Sequence, residues 1–316
     1  MQKEYINELF KLMKNDSRVF SLLSDSGTTY DMLLSREFPE RCLNFGIAEQ
    51  NKIAAASGMA ALGKIPFVFS QSPFLAYRAY EFIRDDVCFQ NRNVKIVGIG
   101  SGLSISQLGP SHHTTEDISV LSSLPNLTIF SPGTPIELCK CVQAAYEIEG
   151  PVYIRMGMGG EPELKTDIYD SETDDCSIHK AILVCDDDDP DTLVISTGSI
   201  VTEVVNSANR LQQEKYIRVR VLHIPTIKPL DRDSILKYAH GVKSILSVEE
   251  HNVIGGIGGL VASVLSSSDH NFAPMTYIGL NDCFASGYGT HKQVLSANEL
   301  DSSSIYQAIL KSLNKE

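Results

Sequence analysis

A carboxylate at the start of a helix rich in small residues is the first candidate for chemistry in this sequence. Residues 44–51 read NFGIAEQN, and Glu49 opens the alanine- and glycine-rich run of residues 49–62. Two interpretations stay open from these residues alone. A helix N-terminus favours an acidic residue in its first turn. A carboxyl group packed beside small residues also loses part of its hydration and becomes a candidate acid.

Aromatic and acidic side chains beside predicted strands are the next candidates. Phe74, Tyr77 and Tyr80 have helical spacing, which is typical either of a core stripe or of rings that stack on a ligand. Asp25 follows the predicted strand of residues 18–23. It is either a turn residue or a ligand-binding residue at the strand ends, where open α/β sheets bind their ligands.

Two further patterns resemble a dinucleotide-binding loop and a metal-binding pair, but each lacks features that the full motif requires. The stretch IGGIGG (residues 254–259) lacks the full G-x-G-x-x-G spacing and a suitably placed acidic residue, so we interpret it as a turn and helix-packing device. Cys139 and Cys141 form a C-x-C pair with no second pair and no histidine cluster nearby. A metal site is therefore not expected in this chain.

The bulk composition limits the class of protein. The chain has 316 residues, 43% of them hydrophobic, which fits two domains with proper cores. Its net charge of −12 argues against a nucleic-acid or anionic-membrane partner. The seven cysteines are odd in number and mostly scattered, as in reduced proteins. With no signal peptide or membrane span predicted, we expect a cytoplasmic protein.

Apolar runs that are typical of strands alternate with helical segments along both halves of the chain. The predicted strands span residues 18–23, 65–69, 94–99, 127–130, 152–154, 192–196, 218–223, 244–248 and 275–278. This alternation predicts mainly parallel sheets covered on both faces. We predict two tandem three-layer α/β domains, residues 1–165 and 191–316, joined by an acidic linker over residues 166–190.

Several motifs in the same order resemble the transketolase family over essentially the whole chain. The first half contains RCLNFGIAEQNKIAAASGMAALGKIPFV, FLAYRAYEFIRDDV, LGPSHHTTEDISVLSSLPNLTIFSPGTPIE and GPVYIRMG. The second half contains STGS, IPTIKPLD, VEEHNVIGGIGG and FASGYG. The resemblance implies a thiamine diphosphate pyrimidine-binding domain followed by the family's C-terminal domain.

The resemblance assigns a role to each candidate residue. Glu49 matches the family acid that pushes the aminopyrimidine of thiamine diphosphate to its imino tautomer, so that the cofactor itself forms the reactive carbanion. Phe74 matches the ring that stacks on the pyrimidine, with Tyr77 and Tyr80 close behind. Asp25 matches an acidic residue beside the cofactor.

The histidine pair after Gly109-Pro110-Ser111 also has a family counterpart. His112 matches the histidine that faces the substrate carbonyl, where an imidazole stabilises a developing alkoxide. We expect the adjacent His113 to point elsewhere, as a surface histidine. The C-terminal domain is interpreted as a dimerisation and support module, with no catalytic residue assigned to it.

The sequence lacks one part of a complete transketolase. The family's G-D-G…N motif, which holds the metal and the diphosphate, does not occur in these residues. The resemblance therefore implies that a second, N-terminal-type subunit holds Mg²⁺ and the diphosphate. The expected assembly has two copies of each chain, and this chain is expected to be inactive alone.

Departures from the family pattern concern the substrate phosphate. Met158 stands where a phosphate-gripping arginine is usual, although Arg155 lies nearby. Gln2, Leu108 and Gly100 likewise replace polar or charged residues that contact the substrate in the family. Because charge-assisted donors are missing, we expect a non-phosphorylated, modified or carrier-linked sugar rather than the ordinary pentose phosphates.

Three other functions fit parts of the sequence. The β chain of a 2-oxo acid dehydrogenase shares the domain order, but the HHTTED loop resembles transketolase more closely. A deoxyxylulose-phosphate synthase is a single long chain and is expected to keep the phosphate-binding arginine. A non-catalytic scaffold has no need of Glu49, Phe74 and His112 together.

Overall fold

The computed structural model describes residues 1–24, 31–161, 164, 178–186 and 189–315. Within these residues the chain forms twelve strands: β1 (Val19–Leu23), β2 (Cys42–Asn44), β3 (Ile65–Gln71), β4 (Lys95–Ile99), β5 (Thr128–Phe130), β6 (Val152–Met156), β7 (Ile182–Cys185), β8 (Thr192–Ser196), β9 (Val219–His223), β10 (Thr226–Lys228), β11 (Ser244–Asn252) and β12 (Met275–Leu280).

Helices alternate with these strands. Over the same described residues they are α1 (Gln2–Asn15), α2 (Asp31–Glu37), α3 (Glu49–Ala61), α4 (residues 74–88), α5 (Asp117–Ser122), α6 (Pro135–Glu147), α7 (Val201–Lys215), α8 (Arg232–Tyr238), α9 (Ile257–Ser266), α10 (His291–Ala297) and α11 (Ser302–Ser312). None of these described helices is both long enough and apolar enough to cross a bilayer.

Two mainly parallel sheets confirm the predicted fold class. The first has the order β10-β5-β6-β4-β3-β1-β2, and only β10 runs antiparallel to its neighbour. The second has the order β12-β11-β8-β9-β7, and only β7 is antiparallel. The central strands β4, β6 and β8 are buried along their whole length, because helices cover both faces of a parallel sheet.

The pairing of two strands differs from what the predicted domain boundaries imply. β7 lies inside the predicted linker and pairs with β9 of the second sheet. β10 comes from the second half of the chain and pairs with β5 of the first sheet. One buried apolar cluster also contains side chains from both sheets, among them Val68 and Ile195. The two halves therefore share a core.

Local sequence explains where the helices begin. Thr134 accepts a hydrogen bond from the backbone N–H of Glu137 at 3.2 Å, and Pro135 follows at the first helical position of α6. At α9 the buried carboxylate of Glu249 accepts from the backbone N–H groups of Ile257 (2.7 Å) and Gly258 (3.1 Å), which are otherwise unpaired donors of a first turn.

The carboxyl ends of β1, β2, β3 and β4 meet at one edge of the first sheet, because these strands are parallel. The segments that follow them carry the candidate residues. α3 begins with Glu49 after β2, α4 begins with Phe74 after β3, and the loop of residues 100–116 follows β4. This is the edge at which open α/β sheets bind ligands.

Candidate active site

Glu49 lies at the bottom of the site with only 1% of its surface exposed. The hydroxyl groups of Ser24 and Ser70 each donate to its Oε1 at 3.3 Å. Its other oxygen accepts from Nη1 of Arg78 at 2.8 Å. Three segments of the sheet edge therefore fix the orientation of this carboxylate.

A buried lysine extends this network below Glu49. Lys52 lies one helical turn further along α3, is fully buried, and its Nζ donates to the carbonyl of Phe69 at 2.7 Å. Its Nζ also contacts the hydroxyl group of Ser24. Sequence reasoning missed Lys52, although its spacing of three residues from Glu49 places both on one helix face.

Phe74 lies between His112 and Arg78 in a chain of contacts. The two rings meet edge to face, with centroids 5.4 Å apart and planes at 73°. The guanidinium carbon of Arg78 lies 4.8 Å from the centre of the Phe74 ring. Arg78 therefore links the carboxylate of Glu49 to the aromatic ring, and Glu49, Arg78, Phe74 and His112 form a contiguous cluster.

α4 has the wide π-type turns at Phe74–Arg78 and Ile83–Cys88, a geometry that is common at functional sites. It also carries Tyr77 and Tyr80. The hydroxyl of Tyr77 donates to Oε2 of Glu116 at 2.8 Å and accepts from its backbone N–H at 3.0 Å. Burial raises the pKa of Tyr77, so it stays protonated.

Tyr80 is half-buried against the core, and its hydroxyl lies 3.4 Å from that of Ser123. Tyr77 thus fastens α4 to the histidine loop, while the contacts of Tyr80 lie further along the helix. Their assignment to the cofactor stays a prediction. Asp25 falls outside the described residues.

The histidine pair is placed differently from what the sequence predicts. His112 is half-buried, and its Nδ1 lies 2.9 Å from the hydroxyl oxygen of Ser111. His113 is not a surface histidine: it is only 4% exposed. That prediction was wrong because the loop folds back at the paired residues Gly102 and Thr114, which turns the ring of His113 inward.

Arg155 does not provide a cation for a substrate phosphate. It is 3% exposed, and its Nε donates to both carboxylate oxygens of Asp117 at 3.1 and 3.0 Å. Its Nη2 donates to the carbonyl groups of Thr114 (3.2 Å) and Glu250 (3.0 Å). Met158 is 43% exposed, so the residue at the family's arginine position presents an apolar side chain.

The cluster fits an aminopyrimidine. A buried carboxyl group that carries a proton can donate a hydrogen bond to a pyrimidine ring nitrogen, which is an acceptor, and the neighbouring Phe74 ring offers a stacking face. By contrast, the described part of the chain contains no group of three or more His, Cys, Asp or Glu side chains that could hold a metal ion.

Comparisons with known proteins identify the family to which both halves of the chain belong. Residues 1–159 match the family "Transketolase, pyrimidine binding domain", and residues 180–305 match "Transketolase, C-terminal domain". The chain is 34% identical to one of the subunits of an apulose-4-phosphate transketolase from Actinobacillus succinogenes, over 98% of this chain and 96% of that one. It is 30% identical to a 6-deoxy-6-sulfo-D-fructose transketolase subunit of a Clostridium species, over 95% and 92% of the two chains.

A solved structure is similar over the same length. It is described as a split gene transketolase in the form of an inactive beta4 tetramer, and it superposes with a TM-score of 0.87 at 32% identity. The match covers 99% of this chain and 98% of that one.

Proposed function

This chain belongs to the transketolase family, as a subunit that acts with a partner chain, and we propose that the pair transfers a two-carbon ketol unit from a ketose to an aldehyde acceptor. The observation that carries the proposal is the contiguous cluster of Glu49, Arg78, Phe74 and His112 at the carboxyl edge of the first sheet. A carboxylate, a stacking ring and an imidazole lie together there.

Three residues of the cluster, Glu49, Phe74 and His112, each have a distinct task. Bound thiamine diphosphate supplies the nucleophilic carbon that carries the two-carbon unit. Glu49 holds a proton between its carboxyl oxygen and the pyrimidine ring, and the hydroxyl groups of Ser24 and Ser70 fix its direction. Phe74 stacks on the pyrimidine. His112 has its Nδ1 2.9 Å from the Ser111 hydroxyl oxygen; with that hydroxyl as the donor, Nε2 carries the ring proton and donates to the substrate oxygen.

We place Mg²⁺ and the diphosphate on the partner subunit, in an assembly of two copies of each chain, and the assembly in the cytoplasm. Two observations support this division between subunits. The relatives are named as subunits, and the similar solved structure is described as an inactive beta4 tetramer of a split gene transketolase.

We further propose that the substrate is not an ordinary pentose phosphate. The arginine nearest to the expected phosphate position is buried on Asp117, and Met158 and Leu108 are exposed apolar side chains. The named substrates of the relatives, apulose 4-phosphate and 6-deoxy-6-sulfo-D-fructose, show that related subunits act on unusual sugars. Turnover of xylulose 5-phosphate and ribose 5-phosphate at rates comparable to other ketose and aldose pairs would contradict this part.

The deciding experiment uses the chain co-purified with its diphosphate-binding partner, thiamine diphosphate and Mg²⁺. Hydroxypyruvate is the donor, because it carries no phosphate. We expect Glu49→Gln to lower the decarboxylation rate by about 10²–10⁴-fold, and to slow hydrogen–deuterium exchange at the thiazolium carbon. Glu81→Gln, on the exposed side of α4, is the matched control and keeps the wild-type rates.

Two results would refute the proposal. Wild-type exchange at the thiazolium in the reconstituted Glu49→Gln complex would remove the role of the acid. Decarboxylation of pyruvate with transfer of an acyl unit to a lipoyl domain would instead identify a 2-oxo acid dehydrogenase, an alternative that the comparisons do not favour.

A further inference from the structure

Lys52 is a fully buried lysine next to the proposed catalytic carboxyl group. Its exposed fraction is 0%, and it follows Glu49 by three residues on the buried side of α3. Lysine is almost never fully buried in proteins without partners, because its ammonium group loses its hydration in the interior. The partners of Lys52 therefore indicate what this side chain does.

Two of the acceptors of Lys52 belong to the segments that surround Glu49. Its Nζ donates to the carbonyl oxygen of Phe69 at 2.7 Å and to the hydroxyl oxygen of Ser24. The contact with Phe69 ties α3 to β3 and serves stability. The contact with Ser24 leads to the site itself, because the same hydroxyl group donates to Oε1 of Glu49 at 3.3 Å.

The lysine sets the direction of this chain of hydrogen bonds. An ammonium group has three N–H donors and no acceptor, so the hydroxyl oxygen of Ser24 accepts from Nζ and its own proton points to Glu49. The positive charge lies beyond Ser24, on the Oε1 side of the carboxyl group. A nearby cation favours the unprotonated form of the oxygen that faces it. Oε1 is therefore the oxygen that remains an acceptor.

The two oxygens of Glu49 differ in whether their partners can be replaced. Oε1 accepts at 3.3 Å from both Ser24 and Ser70, whose exposed fractions are 3% and 2%. Oε2 accepts at 2.8 Å from Arg78, whose side chain is 44% exposed. Because Arg78 also contacts the Phe74 ring, Oε2 lies on the side of the proposed stacking face. Only its partner can withdraw into solvent.

We propose that Lys52 is a positioning residue for the proton of Glu49. Through Ser24 it holds Oε1 as an acceptor, so that the acidic proton is carried by Oε2 and is directed to the pyrimidine. Because Lys52 is fully buried, it acts through Ser24 and not on the cofactor or the substrate. The inference rests on the proposed function of Glu49 and names the groups that give this acid its direction.

The test measures hydrogen–deuterium exchange at the thiazolium carbon of thiamine diphosphate in the reconstituted complex. We expect Lys52→Met and Ser24→Ala each to slow the exchange about tenfold, the factor that corresponds to one lost hydrogen bond to a charged group. The double variant is expected to be at most about twofold slower than either single variant, because two residues that act through one contact are not additive.

Two control variants separate this role from packing. Ser57→Ala removes another hydroxyl group of α3, which donates to the carbonyl oxygen of Asp86 at 2.7 Å. Lys14→Met removes an exposed lysine of α1. Both are expected to keep the wild-type exchange rate. Ser24→Ala leaves the contact of Lys52 with β3 in place, so it tests the inference even where Lys52→Met does not fold.

Infrared spectroscopy gives a readout that needs no cofactor. In the complex without thiamine diphosphate, the difference spectrum between wild type and Glu49→Gln contains the bands of this carboxyl group. We expect Lys52→Met and Ser24→Ala to shift these bands in the same direction, because each substitution weakens the hydrogen bond to Oε1. Ser57→Ala is expected to leave the bands where they are.

The outcomes separate the inference from the proposed function. A wild-type exchange rate in Ser24→Ala or in a folded Lys52→Met complex would overturn the inference alone, as would additive effects of the two substitutions. Carboxyl bands that neither substitution moves would also overturn it, and Lys52 would then serve stability only. A wild-type exchange rate in Glu49→Gln would overturn the proposed function and this inference with it.

Discussion

Replacement of Arg155 by methionine distinguishes a structural arginine from a phosphate-binding one. The side chain lies in the first sheet close to Met158, so its position along the sequence suits a substrate contact. The structure instead gives it four hydrogen bonds inside the protein, two to Asp117 and one each to the carbonyl groups of Thr114 and Glu250. We therefore expect Arg155→Met to act on stability.

The magnitude follows from burial. Asp117 is 0% exposed and Arg155 is 3% exposed, so removal of the arginine leaves an uncompensated charge in the interior. Breaking a buried ion pair in this way lowers the free energy of unfolding by about 3–5 kcal/mol. This is a large part of the roughly 5–15 kcal/mol that stabilises a typical protein.

Urea unfolding followed by circular dichroism measures this loss. Arg84→Met is the matched control, because Arg84 is 61% exposed and pairs with an exposed aspartate; we expect a much smaller change there. The double variant Arg155→Met with Asp117→Leu is expected to recover part of the loss, since it removes both charges.

One combination of results would refute the structural role. The structural role is refuted if Arg155→Met keeps the wild-type free energy of unfolding and also raises the KM for phosphorylated acceptors. In that case the arginine would leave Asp117 and bind the substrate, and the proposal of an unusual substrate would lose its main support.

Two further substitutions test buried and partly buried cations. Desolvation lowers the pKa of the buried Lys95 to about 7 from 10.5, so above pH 7 the unfolded chain binds more protons than the folded one. The wild type should therefore gain about 2 kcal/mol of unfolding free energy relative to Lys95→Met between pH 7 and pH 9; a difference that stays constant in urea titrations at both pH values would contradict this. Arg78 contacts both Glu49 and the Phe74 ring and so competes with the pyrimidine, but it is 44% exposed. Solvent weakens the contacts of this exposed side chain, so we expect Arg78→Met to tighten thiamine diphosphate binding only about fivefold in calorimetric titrations of the complex. Weaker binding would show that the arginine helps to hold the cofactor.

The fold could be predicted where strands are long and buried. The apolar runs at residues 65–69 and 94–99 became the central strands β3 and β4, because burial on both faces leaves a continuous hydrophobic pattern. β2 and β10 have only three residues each, which is too short for any periodicity. β7 is apolar but lies among acidic runs, and the composition of its surroundings predicts a linker rather than a strand.

The site was only partly accessible from the sequence. Glu49, Phe74 and His112 stand in motifs, and parallel strands bring their segments to one edge of the sheet. The contact of Arg78 with Glu49 spans 29 residues, and the pairing of Arg155 with Asp117 spans 38. Such partners depend on how separate elements approach each other, and no local pattern encodes that. The inward turn of His113 has the same origin.

The loop that carries His112 is held in part by the second half of the chain. The hydroxyl group of Ser106 donates to the carbonyl of Gly289 at 2.7 Å, and the backbone N–H of Leu103 donates to the carboxylate of Glu250 at 3.0 Å. That carboxylate also lies 2.8 Å from Nε2 of His291.

These contacts change the interpretation of the C-terminal half as a support module. Its residues Glu250, His291 and Gly289 contact the loop that carries His112, the residue that we propose donates to the substrate. A displacement of about 1 Å in a catalytic group is enough to lower a rate about 10²-fold. In the proposed mechanism the second half therefore influences catalysis through the geometry of this loop, even though the residues of the proposed catalytic cluster all come from the first half.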